Sequence, residues 1–135
     1  MGSTEIIIER PKVEDYCRLR QACGWPVPAT PVCERALNNS LMGAIAVKEG
    51  QTIGMGRVVG DGVLWNYIQD LIVLPAYQRQ GIGRLLLNAM MARLAQEAAP
   101  GSDVALISAP QAIRFYETHG FAMCSPDKPG MRRKL

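Results

Sequence analysis

Apolar and polar positions along this chain change period several times, and each change marks an element. Ile6-Ile7-Ile8 is a β-branched run that suits a first strand. From Val13 to Cys23, the residues Tyr16, Leu19, Arg20 and Cys23 recur at three- and four-residue spacing, which predicts a helix. Gly24-Trp25-Pro26-Val27-Pro28 stops it, because its two prolines cannot continue a helix. A second short helix is expected over about Pro31 to Asn38, with Pro31 in its first turn. Leu41 to Lys48 and Thr52 to Val59 read as antiparallel strands joined at Glu49-Gly50-Gln51, and Gly60-Asp61-Gly62 makes the next turn. Leu64 to Leu74 is a long strand with an apolar far end.

The period then lengthens. A helix from about Arg79 to Ala98 carries Leu87, Met90, Met91, Leu94, Ala95 and Ala98 on one face, with Ala89, Ala92, Arg93 and Gln96 opposite. Pro100-Gly101 ends it. Val104 to Ser108 is a short buried strand, Gln111 to His119 a helix closed by Gly120, and Phe121 to Cys124 the start of a final strand. The order β-α-α-β-β-β-α-β-α-β predicts an α/β (mixed α+β) three-layer domain around a mixed sheet.

Composition narrows the function classes. At 135 residues the chain suits one domain, 1–135, able to bury about two-thirds of its unfolded surface. A hydrophobic content of 48% with 20% charged residues is ordinary for a soluble protein. The formal charge of +3 favours an anionic ligand but falls short of a nucleic-acid-binding balance, and Arg132-Arg133-Lys134 is read as a solvated tail or last strand. No apolar run approaches the ~20 residues of a membrane span. Met1 to Glu9 lacks the basic and apolar regions of a secretory signal. Cys17, Cys23, Cys33 and Cys124 form no C-x-x-C pair and His119 is the sole histidine, so no metal site is expected. Reduced thiols and a cytoplasmic location fit that cysteine usage.

The chemistry concentrates where the long strand meets the long helix. Gly81 and Gly83 have no side chains, so a ligand can approach the backbone closely. The unpaired N–H groups of a helix's first turn, at the positive end of its dipole, attract an anion. Arg79 and Arg84 add formal positive charge, and a phosphate or pyrophosphate is the expected ligand. A nucleotide P-loop would need Lys-Ser or Lys-Thr after its last glycine, where Arg84-Leu85 stands. A dinucleotide fingerprint would need a third glycine at Leu86 and an acidic residue closing the following strand, and Asp103 instead precedes Val104.

Gln78-x-x-Gly81-x-Gly83, preceded by Val73-x-Pro75, resembles the coenzyme-A signature of the GNAT superfamily of acyl-CoA N-acyltransferases. Ala112-Ile113-Arg114-Phe115-Tyr116-Glu117-Thr118-His119-Gly120-Phe121 resembles a second segment of that superfamily, in the same order and at its usual separation. The resemblance covers about residues 42 to 124. It implies a mostly antiparallel sheet splayed between strands 4 and 5, with the pantetheine arm of acetyl-CoA bonded to backbone near Leu71, Ile72 and Val73. The amides of Arg79, Gln80, Gly81, Ile82, Gly83 and Arg84 would then hold the pyrophosphate, with Gln78 opening the motif. It places Tyr116 as the acid that protonates the leaving thiolate, a phenol being well matched to a thiol. Several members of the superfamily carry a glutamate base where this chain has Tyr67, and many an asparagine where it has Ala109. Asp70 is the nearest carboxylate on that strand, and a bulge near Leu71 would aim it at the substrate or away. Water relayed through Tyr67, Asn66 or backbone carbonyls is the alternative base. The segments Arg20 to Pro28 and Trp65 to Tyr67 frame the expected acceptor pocket, where Trp25, Trp65 and Tyr67 would stack on the amine. His119, ahead of Gly120, suits a helix-end cation. The implied reaction is acetyl transfer to a primary amine of a small molecule, by direct attack within a ternary complex. The alternatives are acetylation of a protein N-terminus or lysine, and a non-catalytic acyl-CoA-binding module. Nucleic acid and membrane are not expected as partners. A homodimer is common in such folds, but no residue here establishes one.

Overall fold

A computed structural model describes residues 2–135. Its frame is a five-stranded sheet in chain order: β1 (Glu5–Ile7), β2 (Met42–Lys48), β3 (Gln51–Gly60), β4 (Trp65–Val73) and β5 (Asp103–Ala105). The first four strands pair antiparallel, and β5 joins β4 in parallel. Glu49 and Gly50 both have positive φ, 51° and 75°, the geometry of a two-residue hairpin turn between β2 and β3. Before β4, Asp61 Oδ1 accepts from the backbone N–H groups of Val63, Leu64 and Trp65, which holds its carboxyl below the usual range. A parallel pair needs a crossover, and α3 (Ile82–Glu97) supplies it between β4 and β5.

Helices cover both faces. On one, Ile82, Leu86, Leu87, Met90 and Leu94 of α3 pack against Met42, Ala44, Ala46, Ile53, Val58 and Ile68 of the sheet. On the other, Tyr16 and Leu19 of α1 (Val13–Ala22) and Cys33 and Leu37 of α2 (Thr30–Asn38) meet Ile45, Met55 and Ile72. Helix α3 lies close over β3 because Gly56 has no side chain. A Cβ there would stand 2.6 Å from Met90 Cε.

Four boundaries differ from expectation, each for a local reason. Helix α3 starts at Ile82 instead of Arg79, because Arg79 (φ 64°) and Gly81 (φ 82°) are left-handed and Pro75–Tyr77 forms a separate 3-10 turn. Its core face is rotated accordingly: Ile82 and Leu86 are buried and Ala95 is exposed. The last helix, α4 (Ile113–Glu117), is shorter than Gln111 to His119, since Pro110–Ala112 tightens into a 3-10 turn. Strand β5 ends at Ala105, and Phe121 to Cys124 forms no strand. Phe121 N–H instead donates to Tyr116 O and Gly120 N–H to Glu117 O, with Gly120 at φ 89°. That double bond is a Schellman cap, and it folds Phe121 back onto α4 rather than into a ladder.

Candidate active site

Strands β4 and β5 part early. Their pairing runs Trp65↔Asp103, Asn66↔Val104 and Tyr67↔Ala105, and there it stops. From Ile68 to Val73 the strand β4 is bonded only to β3, leaving its other edge open. The open edge carries free backbone groups. Leu74 N–H donates to Ile53 O on the β3 side, so alternation turns the N–H and C=O of Val73 to the opposite side. The Val73 carbonyl indeed accepts from Gln78 Nε2 at 2.9 Å.

A bulge shapes the same stretch. Arg57 faces Gln69 and Met55 faces Ile72, so β4 spends three steps where β3 spends two. The extra residue is Asp70, at φ 57°. Beyond it, Leu71 and Val73 pack toward α3 and Ile72 toward α1 and α2.

Leu71 and Val73 form one wall of a cavity of about 620 Å³. Gly81, Gly83 and Arg84 form its floor, and Phe115 and Tyr116 of α4 the far wall. The first hydrogen bond of α3 runs from Leu85 N–H to Gly81 O, leaving the amides of Ile82, Gly83 and Arg84 without an intrahelical acceptor. No side chain caps that end. A Cβ on Gly83 would meet Phe115 Cζ at 3.8 Å and Val73 Cγ2 at 3.9 Å, so the glycine sits in the narrow part of the cleft. Arg79, Gln80 and Arg84 are exposed around this opening. Gln78 ties the turn back to the strand through Val73 O. His119 Nδ1 lies 2.8 Å from Phe115 O, which holds the ring at the end of α4.

Tyr116 is half-buried, with ring centroids 5.1 Å from Phe115 and 5.8 Å from Phe121, both edge-on. Burial raises its phenol above the ordinary value, and Tyr67 nearby raises it further. Tyr67 is the last residue of β4 paired to β5, so it stands where the strands divide.

An open strand edge and an uncapped helix start thus border one cleft. The chain matches the acetyltransferase (GNAT) domain model over residues 28–130. It belongs to the GNAT family. A probable acetyltransferase from methicillin-resistant Staphylococcus aureus superposes with a TM-score of 0.90 at 32% identity, covering 98% of this chain and 100% of the other. A GNAT-family protein of Streptococcus pneumoniae gives 0.82 at 36% identity, covering 100% of this chain and 98% of that one. Rice serotonin N-acetyltransferase 2, named as chloroplastic, is 32% identical over 108 residues, 77% of this chain and 52% of its own length. A Glycine max protein named histone acetyltransferase is 28% identical over 120 residues, 81% of this chain and 51% of its own. The chain thus spans about half the length of these curated relatives.

Within this GNAT fold the expected base does not face the cleft. The bulge turns Asp70 toward α1, where it is 4% exposed. Its Oδ1 accepts from Arg20 Nη1, and its Oδ2 from Tyr16 Oη at 2.6 Å and Arg57 Nε at 2.8 Å. Both oxygens are committed, which suits a buried ion pair and not proton abstraction. Ile72 likewise has its side chain in the α1/α2 core, leaving only its backbone to the strand edge. Of the expected acceptor residues, Trp25 is half-buried with the Arg20 guanidinium 5.5 Å from its ring centroid. Trp65 is 58% exposed at the start of β4, apart from that cluster. Tyr16 and Arg57 did not stand out in the sequence as site residues, and Arg20 did so only as the edge of the segment expected to frame the acceptor pocket. Tyr16 and Arg20, four apart on α1, put a phenol and a cation on a face otherwise bound for the core, and that was the available signal.

Proposed function

We propose that residues 1–135 form one acetyltransferase domain that moves an acetyl group from acetyl-CoA to a primary amine of a small molecule, by direct attack in a ternary complex. The observation that carries this is the uncapped start of α3 opening into the same cavity as the unpaired edge of β4. Acetyl-CoA, when bound, supplies an activated acyl group and a thiolate leaving group. The amides of Ile82, Gly83 and Arg84, with Arg79 and Arg84 beside them, suit its pyrophosphate. The open edge at Leu71 to Val73 suits strand-like bonding to the pantetheine amides. Val73 N–H, turned to that edge, is placed to donate to negative charge developing on the acyl oxygen. Tyr116, a phenol that burial holds above its ordinary value, donates a proton to the departing thiolate. With Asp70 committed to arginines, the amine's proton leaves through water at Tyr67 or backbone carbonyls. Every group named lies on one chain, so the chemistry needs no second copy.

Incubation with acetyl-CoA and a panel of amines, read by thiol release, tests the proposal. Release with small amines supports it. Release only with peptides would favour acetylation of a protein terminus or lysine, and the Glycine max relative is named a histone acetyltransferase. No release with intact coenzyme-A binding would favour the non-catalytic module, which the tyrosine at position 67 motivates. No helix among the described residues is long and apolar enough to cross a membrane. A cytoplasmic setting, with Cys17, Cys23, Cys33 and Cys124 as free thiols, completes the proposal.

A further inference from the structure

The face of β4 turned away from α3 carries more positive charge than negative. Arg20 and Arg57 share the single carboxylate of Asp70, and their side chains are each 14% exposed. Among the described residues the other ion pairs, Arg18–Asp15 and Arg93–Glu97, involve neither arginine. Tyr16, the third partner of Asp70, is an uncharged phenol hydrogen-bonded through its hydroxyl. The cluster therefore holds two cations and one anion where water is scarce, and an uncompensated charge in such a place is costly.

Arg20 is the member that reaches the loop after α1. Its Nε donates to Pro26 O at 2.8 Å and its Nη1 to Asp70, while no described residue accepts from its Nη2. The guanidinium lies between the rings of Tyr16 and Trp25, 5.7 and 5.5 Å from their centroids. Cys23, just before that loop, has its Sγ 3.8 Å from Val73 O, so this corner adjoins the open strand edge. Coenzyme A would fill the cleft on the α3 side. An amine attacking the acyl carbon from the other side of β4 would then pass Arg20 and Trp25.

We propose that the acceptor is an amine bearing a carboxylate, which pairs with the free N–H of Arg20 beside Trp25. The proposal rests on the acetyl-transfer function above and names its substrate class. In the reaction the C–N bond forms as the thioester C–S bond breaks, the amine loses a proton and the thiolate gains one. The carboxylate is unchanged throughout. Polyamines are disfavoured, because they add cations to a site already in excess.

The test compares 4-(aminomethyl)benzoate with its methyl ester, benzylamine and spermidine in the wild-type enzyme. The carboxylate should give a kcat/KM about tenfold above the ester and benzylamine, the scale of one charge-assisted contact. Arg20→Gln should erase that ratio and Arg20→Lys should keep part of it. If Arg20→Gln does not fold, tryptophan fluorescence of wild-type protein saturated with coenzyme A decides. The carboxylate should then bind about tenfold tighter than benzylamine. Equal or reversed preference, with thiol released from benzylamine, overturns the carboxylate proposal and leaves acetyl transfer standing. No thiol release from any amine, in that set or the wider panel, overturns both.

Discussion

Asp70→Asn removes one charge from the cluster of Arg20, Arg57 and Asp70 while changing little else. Asparagine tolerates the left-handed backbone at φ 57° and keeps an acceptor oxygen, so the variant isolates the carboxylate's charge. Arg20 and Arg57, each 14% exposed, lose the carboxylate they share. Removing one partner of a buried ion pair costs about 3–5 kcal/mol, because the remaining charge is left uncompensated. Two guanidiniums on one carboxylate push toward the top of that range. The hydrogen bonds the amide still makes return about 1 kcal/mol. A net loss of about 3–4 kcal/mol should lower the melting temperature by about 10 °C for a chain of this size. Reversible urea unfolding followed by far-ultraviolet circular dichroism measures it. A double-mutant cycle with Arg57→Gln should show the pair costing less than the sum of the singles by about 1–3 kcal/mol. A loss below about 1 kcal/mol accompanied by a collapse of acetyl transfer would refute the reasoning. Asp70 would then be a base and not an ion-pair partner.

Three further outcomes follow from the same geometry. Gly83→Val should weaken coenzyme-A binding at least tenfold by calorimetry while leaving the melting temperature nearly unchanged, since its Cβ has ordinary 3.8–3.9 Å contacts and only the branched methyls enter the cleft. Tyr116→Phe should lower kcat about 10²-fold or more in the thiol-release assay with coenzyme-A affinity intact, and unchanged turnover would remove the assigned acid. Burial first, then the Asp70 hydrogen bond, pushes the Tyr16 phenol up to about 12. Because the folded value is the higher one, stability is fully present below pH 10, and about 2–3 kcal/mol is lost as pH rises from 10 toward 12. Tyr16→Phe should flatten that part of a urea-midpoint profile measured at pH 9, 10 and 11.

Legibility in the sequence followed the length scale of the signal. The order of strands and helices through α4 was readable because each element carries its own periodicity and its own stop, such as Pro26 and Pro28 after α1 or Gly120 after α4. The glycine turn ahead of α3 was readable because Gly81 and Gly83 stand together at a helix start, where Gly81 takes φ 82° and Gly83 borders the cleft. What escaped depends on a local cap outcompeting strand propensity, and on contacts far apart in the chain. Phe121 to Cys124 has strand-like residues, yet the Schellman cap at Gly120 folds Phe121 back onto Tyr116. Asp70 sits among residues with strand propensity, and no local pattern reveals that Arg20, 50 positions earlier, waits on α1. A bulge near Leu71 was anticipated, but its direction depends on which helix offers the countercharge.

That direction decides the division of labour across β4. Ile68 packs under α3 while Ile72, four residues on, packs under α1 and α2. In a regular strand two residues four apart share a face, so one extra residue must intervene between them. With it, Leu71 and Val73 are delivered to the cleft and Asp70 to the arginines. Straightening the strand would reverse the assignment, sending Leu71 and Val73 into the α1/α2 core and a carboxylate toward the cavity. That would leave Arg20 and Arg57, both largely buried, without their carboxylate, at a cost of about 3–5 kcal/mol. The ion pair on one side therefore holds the register that brings Leu71 and Val73 to the cleft on the other. For that reason variants at Arg57, which does not line the cleft, should raise the KM for acetyl-CoA as well as lower stability.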